Sequence, residues 1–168
     1  NNFDKGFYPN IQLLETKNET QFLENLNYQI EPETHVIVFA CLLNHIVDER
    51  HKTRRLNLNL SDQEICEIVI ERDFSRIVKM ANSDNEFCVC VSRPSERTNP
   101  SWLVEQLGNI ERFLQQLYKE AREKHRNIFL INKFKPKLDL IDGIHMAKPD
   151  GLSYVEHLVD QVTKIKSD

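Results

Sequence analysis

The chain has 168 residues, of which 40% are hydrophobic and 29% charged, and its formal net charge is −4. These values predict one globular domain, residues 1–168, and exclude a disordered chain. The negative net charge also excludes a protein that its overall charge attracts to polyanions. No apolar run approaches the roughly 20 residues that cross a bilayer, and the first residues lack a signal-peptide pattern, so no membrane association is expected.

Strand and helix patterns alternate along the first part of the chain. Residues 9–14 form a short apolar run that predicts a strand, and apolar residues spaced by three and four over 20–30 predict an amphipathic helix. Residues 35–41 are almost all apolar and rich in β-branched side chains, which is typical of a strand covered on both faces. The stretch from Asn44 to Asn59 is polar and basic without clear periodicity, and it is predicted to be mostly loop.

Two longer helices are predicted next. Ser61 and Glu64 have the spacing of a capping box, which predicts a helix start, and the helix runs through Val78 with a possible break near Asp73. Ser101 is predicted to cap a second long helix. The apolar stripe of that helix consists of Leu103, Leu107, Ile110, Leu114, Leu117 and Ala121.

The remaining elements complete an α/β pattern. Residues 87–91 and 127–131 predict two further buried strands, and Asp150 is predicted to start a last helix. Strands that alternate with helices imply parallel strands joined by helical crossovers. The fold class predicted is a three-layer α/β/α sandwich with a mainly parallel sheet.

The four cysteines, Cys41, Cys66, Cys88 and Cys90, lack the paired spacing of a zinc site, and no metal or other cofactor is expected. They are predicted to be reduced core thiols, which favours a reducing cytoplasm. The first residue is Asn rather than Met, which suggests a fragment of a longer protein.

The clearest chemical motif is the sequence from Asp142 to His145. In a parallel sheet, ligands collect at the carboxyl ends of the strands, and this motif is expected at such an end. An Asp and a His three apart suit nucleophilic catalysis, because the carboxylate orients an imidazole that deprotonates a serine.

This motif resembles the Asp-x-x-His block that precedes the final helix of SGNH (GDSL-type) hydrolases. Asn44 matches the Asn of the family's Gly-x-Asn-Asp block, but Leu42 replaces its glycine, and the Gly-Asp-Ser block with the nucleophile is absent from these residues. The resemblance therefore implies an SGNH-like fold without hydrolase activity. Three roles stay open for Asp142 and His145: a pair that fixes the loop, a residual ligand pocket, or catalysis with a serine from a missing N-terminal segment.

A narrower resemblance is to SGNH-like domains of insect germ-plasm proteins that have lost the hydrolase site and bind RNA. It is carried by residues 9–15, 36–41 and 142–146. It implies binding to messenger RNA, including 3′ untranslated regions, in the cytoplasm of the germ plasm. It also implies an upstream domain, absent from this sequence, that engages protein partners.

Basic residues follow three of the predicted strands and are expected to meet at one edge of the sheet, where they would offer RNA phosphates a track. The predicted RNA-binding residues are Arg50, Lys52, Arg54, Arg55, Arg93, Arg97, Lys133, Lys135 and Lys137. The alternatives are solvated loops without function, an SGNH-type esterase or small-ligand-binding domain, and a protein-interaction module.

Overall fold

The computed structural model describes residues 36–39, 43–81, 88–92, 97–133 and 148–167. The predicted first strand and first helix, residues 9–14 and 20–30, lie outside these ranges. In chain order the described elements are β1 (Val36–Phe39), α1 (Leu43–Arg55), α2 (Asp62–Ala81), β2 (Cys88–Ser92), α3 (Ser101–Lys124), β3 (Ile128–Ile131) and α4 (Lys148–Ser167).

The three described strands form one parallel sheet in the order β1-β2-β3. Val36 pairs with Cys88 and Phe39 with Val91, while Val89 pairs with Ile128. Parallel neighbours require a crossover that carries the chain back to the same end of the sheet. Helices α1 and α2 lie between β1 and β2, and α3 lies between β2 and β3, so the predicted α/β pattern with parallel strands is confirmed.

Alternate residues of β2 and β3 face two different hydrophobic clusters. Val89, Val91 and Ile128 pack in the larger cluster with residues of α1, α2 and α3. Cys90 and Ile131 pack on the opposite face, in a smaller cluster that includes Leu158 of α4. Because successive side chains of a strand point to opposite faces, helices cover both faces of this part of the sheet.

Helix α2 begins with the predicted capping box. The backbone N–H of Glu64 donates to Ser61 Oγ at 3.1 Å, and the backbone N–H of Ser61 donates to Glu64 Oε1 at 3.4 Å. The predicted break near Asp73 is wrong, since the helix continues unbroken from Asp62 to Ala81. Asp73 itself is fully buried on this helix.

Helix α3 presents the predicted apolar stripe, with Leu103, Ile110, Leu114 and Ala121 buried. The predicted cap at Ser101 is wrong, because Ser101 is already the first helical residue. The N-cap is Pro100, which makes no side-chain capping bond. The Pro100 carbonyl instead accepts the backbone N–H groups of Leu103 and Val104, both at 3.1 Å.

The prediction of a mostly loop conformation for residues 44–59 is also wrong, because residues 43–55 form helix α1. Its inward face carries Leu43 and Ile46 together with the polar His45 and Thr53, all four of them buried. A helix is recognised in a sequence by apolar residues that recur every three or four positions. His45 and Thr53 interrupt that recurrence on the buried face of α1, so the helix was not predicted. Burial of Leu43 and Ile46, worth about 1.5–3 kcal/mol each, favours the helix over the polar loop that was expected.

Helix α1 ends in a Schellman motif centred on Asn57, whose φ of 54° is left-handed. The backbone N–H of Leu58 donates to the Thr53 carbonyl at 3.0 Å, and that of Asn57 donates to the Arg54 carbonyl at 3.2 Å. These two bonds satisfy carbonyls that a helix end leaves without intrahelical partners. Asn tolerates the left-handed region better than most residues, which explains why a non-glycine residue ends the helix here.

We expect Asn57→Ala to lower the free energy of unfolding by about 1 kcal/mol, because an alanine Cβ is disfavoured at positive φ. Asn57→Gly is the matched control and should be neutral or slightly stabilising. Urea unfolding followed by circular dichroism measures both changes. Equal stability of the two variants would contradict the strained backbone assigned to this position.

Candidate functional site

The residues predicted as hydrolase remnants are only partly described. Asn44 is exposed at the second position of α1, which follows the carboxyl end of β1. Asp142 and His145 lie outside the described residues. The structure therefore locates only Asn44 of these three residues, and whether it lies near Asp142 and His145 stays a prediction.

The first predicted basic group does lie together, on the last turns of α1. This helix has 13 residues and is thus about 20 Å long, so Arg55 lies roughly 18 Å along the axis from Leu43. Lys52 and Arg55 are exposed there. We refer to residues 51–60, the end of α1 and the loop that follows, as the α1 tip. These basic residues therefore lie at the end of α1 that is remote from the sheet, and not in a loop at the sheet edge as predicted.

Arg50 is engaged within the protein at the base of the α1 tip. Its Nε donates to Asp62 Oδ1 at 2.8 Å, and its guanidinium lies 4.4 Å from the centre of the Trp102 ring. The ion pair ties α1 to the start of α2, and the cation–π contact ties α1 to the start of α3. Arg50 therefore holds three helices together, a role that the sequence did not indicate.

Arg54 shares the same carboxylate but remains more open to solvent. Its Nη2 donates to Asp62 Oδ1 at 2.9 Å, and its Nη1 donates to the Leu60 carbonyl at 2.8 Å. The side chain is 43% exposed, against 26% for Arg50. Arg54 thus closes the α1 tip onto α2 and still presents part of its guanidinium at the surface.

The second and third predicted basic groups contribute less to the described surface. Arg97 is buried, and its Nε donates to the Asn99 carbonyl at 2.5 Å. Lys133 is exposed two positions after the end of β3. Arg93, Lys135 and Lys137 lie outside the described residues. The structure therefore brings together the basic residues of α1 and leaves the predicted convergence of all three groups as a prediction.

A buried histidine–carboxylate pair, which sequence reasoning missed, connects α1 to α2. His45 Nδ1 lies 2.6 Å from Asp73 Oδ2, and the two side chains are 5% and 0% exposed. This separation is that of a short hydrogen bond between the imidazole and the carboxyl group. The pair is closed to solvent, and its position between two helices gives it a structural role.

Two arginines of α2 complete this buried polar cluster. Arg76 Nη1 lies 3.5 Å from Asp73 Oδ1, and Arg72 Nε lies 3.7 Å from the same oxygen. Arg72 also reaches Glu49 Oε2 of α1 through Nη1 at 3.6 Å. Two guanidinium groups thus face two carboxylates, and this balance offsets part of the cost of taking charges out of water.

One sequence signal could have indicated the Asp73 cluster. Asp73 falls on the apolar stripe of α2, between Val69 and Ile70 on one side and Ile77 on the other, all of them buried. A charged residue at such a position predicts either an interrupted helix or a paired buried charge. Only the three-dimensional arrangement, with His45 of α1 facing it, distinguishes these two cases.

The described cysteines are buried free thiols. Cys66 and Cys90 form no disulfide, which fits the predicted reduced core. Burial raises the pKa of the Cys66 thiol to about 11, and the negative charges of Asp62 and Glu67 add to this effect. Cys41 and the side chain of Cys88 lie outside the described part of the chain.

Within the described ranges, no group of three or more His, Cys, Asp and Glu side chains could hold a metal ion. None of the described helices combines the length and the apolar character needed to cross a membrane. No protein-family model matches the chain, and comparisons with curated proteins and with solved structures gave no match.

We expect Asp73→Ala to lower the free energy of unfolding by about 3–5 kcal/mol, because it leaves His45 and two arginines facing a site without its carboxylate. Asp160→Ala removes an exposed carboxylate from α4 and should change stability by less than about 0.5 kcal/mol. Urea unfolding measures both. If the two variants were equally stable, the cluster would not hold α1 against α2.

We expect Cys66 to resist alkylation, because its pKa of about 11 keeps the thiol protonated at about pH 8.5, and the thiolate is the reactive form. The raised pKa also means that stability linked to the neutral thiol is present below pH 9.0 and is lost as the pH rises through about 11. Iodoacetamide labelling with peptide mass mapping, in buffer and in urea, measures the protection. Equal labelling rates in the two conditions would contradict it.

Proposed function

We propose that this chain is a non-catalytic RNA-binding domain and that the α1 tip is its main contact with RNA phosphates. The observation that carries this proposal is the exposure of Lys52, Arg55 and part of Arg54 on one helix end. The whole chain has a net charge of −4, so attraction to a polyanion requires such a local concentration of positive charge.

The packing at the α1 tip supports a preformed site. Arg50 fixes the helix end through Asp62 and Trp102, so Lys52 and Arg55 project from a backbone that is already ordered. Binding then costs side-chain entropy but little backbone ordering. Contacts of this kind position a nucleic acid through its phosphates and carry no sequence information themselves.

The proposal extends to the class of domain. A parallel sheet with helices on both faces supports, at a coarse level, an SGNH-like three-layer sandwich. The sequence departs from the hydrolase pattern at the nucleophile and at Leu42, which supports a non-catalytic domain. Within that class we propose a likeness to the C-terminal RNA-binding domain of the insect protein Oskar. The expected ligand is then messenger RNA, including 3′ untranslated regions, in the cytoplasm of the germ plasm.

We expect Lys52→Glu combined with Arg55→Glu to weaken binding of single-stranded RNA at least tenfold. The slope of log K against log salt should also become shallower by about 1.4, roughly 0.7 for each phosphate of a single strand that is no longer neutralised. Fluorescence anisotropy with a labelled oligonucleotide, between about 50 and 200 mM salt, measures both quantities. Arg54 is left unchanged because its reversal would also break the bond to Asp62.

The matched control is Lys119→Glu combined with Lys124→Glu, which reverses two exposed charges on α3 and changes the net charge by the same amount. Its affinity should stay within about twofold of wild type, apart from the general effect of net charge. If both double variants weakened RNA binding equally, the binding would depend on net charge alone and not on a site at the α1 tip. Binding that neither double variant changes would place the RNA-binding surface elsewhere.

A further inference from the structure

The α1 tip exposes two leucines beside its basic residues. Leu56 is 54% exposed and Leu58 is 51% exposed, and the other large hydrophobic residue exposed in the described part of the chain, Ile68 of α2, is 45% exposed. By contrast, Ile46 of α1, a side chain of comparable size, is fully buried. Two half-exposed leucines separated by a single residue offer apolar surface that a binding partner could cover.

Hydrogen bonds fix the backbone of the loop that carries these leucines. The backbone N–H of Leu56 donates to the Lys52 carbonyl, that of Leu58 to the Thr53 carbonyl and that of Leu60 to the Leu58 carbonyl, at 3.0, 3.0 and 3.1 Å. Arg54 closes the loop through the Leu60 carbonyl at 2.8 Å. In a Schellman motif the residue at the position of Leu58 often packs back on the helix, whereas half of Leu58 remains exposed here.

The polar residues of the loop complement the leucines. Asn57 and Asn59 are exposed and alternate with Leu56 and Leu58 along the chain. Amide side chains offer both donors and acceptors, as the edges of nucleic-acid bases require. The loop therefore combines apolar surface and amide groups, with the positive charges of Lys52 and Arg55 on the preceding turn.

We propose that the α1 tip binds single-stranded RNA, with unpaired bases packed against Leu56 and Leu58 while the basic residues hold the phosphates. This inference rests on the proposed function and specifies its ligand. Bases in an A-form duplex are stacked and their edges lie in grooves that side chains read poorly, so two protruding leucines gain little from a duplex. Leucine side chains can pack between bases, and in a duplex this costs the unstacking of a base step, whereas the bases of a single strand are already free to splay apart.

The charges around the loop favour RNA over an anionic membrane. Asp62 and Glu64 open α2 directly after the loop, and Glu67 lies one turn further along. A flat anionic surface that met the leucines would also meet these carboxylates, and exposed asparagines would enter the apolar layer at a cost. A single strand is narrow enough to contact Lys52 and Arg55 at the end of α1 without covering the acidic start of α2.

The experiment compares three ligands of one mixed sequence: single-stranded RNA, the same RNA in a duplex, and an oligonucleotide with the same phosphates but abasic positions in the middle. Wild type should bind the single strand roughly tenfold more tightly than either of the others, because bases then cover apolar surface of two half-exposed leucines. Leu56→Ser combined with Leu58→Ser should remove this preference and leave duplex and abasic affinity within about twofold of wild type. Ile68→Ser is the matched control, since it removes a similarly exposed apolar side chain from α2, and it should keep the preference.

The outcomes separate this inference from the proposed function. If all three ligands bind equally in a salt-dependent manner and the leucine variant behaves as wild type, the phosphate site stands and the single-strand inference fails. If no ligand binds, both fail. Binding to anionic vesicles, or to an acidic peptide, that the leucine variant abolishes would overturn the inference in favour of that partner. Unchanged melting temperatures of both serine variants show that the leucine effect is not unfolding.

Discussion

The buried bond between His45 and Asp73 joins the start of α1 to α2, and together with the contacts of Arg50 it sets how α1 lies on its neighbours. Both side chains are closed to solvent at a separation of 2.6 Å, which gives the contact a strict geometry. Because a helix is close to a rigid rod, the contact near its start and the contacts of Arg50 further along together set its direction. The exposed cations of α1 are therefore positioned in part by a polar pair about two to three turns away from them.

Asp62 plays a complementary part at the other end of α1. One oxygen of this carboxylate accepts from both Arg50 and Arg54, so part of the local positive charge is already neutralised within the protein. A phosphate that approached Arg54 would compete with Asp62, so the proposed RNA contact rests mainly on Lys52 and Arg55. The basic residues of α1 thus have two roles. Arg50 and Arg54 pair with Asp62 and stabilise the end of the helix, whereas Lys52 and Arg55 are exposed on its surface.

The alternation of strands and helices, the capping box at Ser61 and the stripe of α3 followed from the sequence because each rests on local spacing. Helix α1 did not, since His45 and Thr53 on its inward face break the apolar pattern. Asp73 suggested an interruption for the same reason, because its partner lies on another helix. The basic residues of α1 were identified as a group, but the different roles of Arg50 and Lys52 depend on Asp62 and Trp102. Nothing in the sequence indicates that Leu56 and Leu58 are exposed. Their exposure depends on the conformation in which α1 ends.

The pairing of β1 with β2 carries a consequence for how the chain acquires its structure. Val36 meets Cys88 only after the whole span of α1 and α2 has been brought back to the sheet, and closing so long a loop is entropically costly. The helical pair has contacts of short sequence separation that do not involve the sheet, among them the bonds of Asp62 to Arg50 and Arg54. Folding is thus expected to begin in the two helices, with the parallel strands joining as the slower, later step.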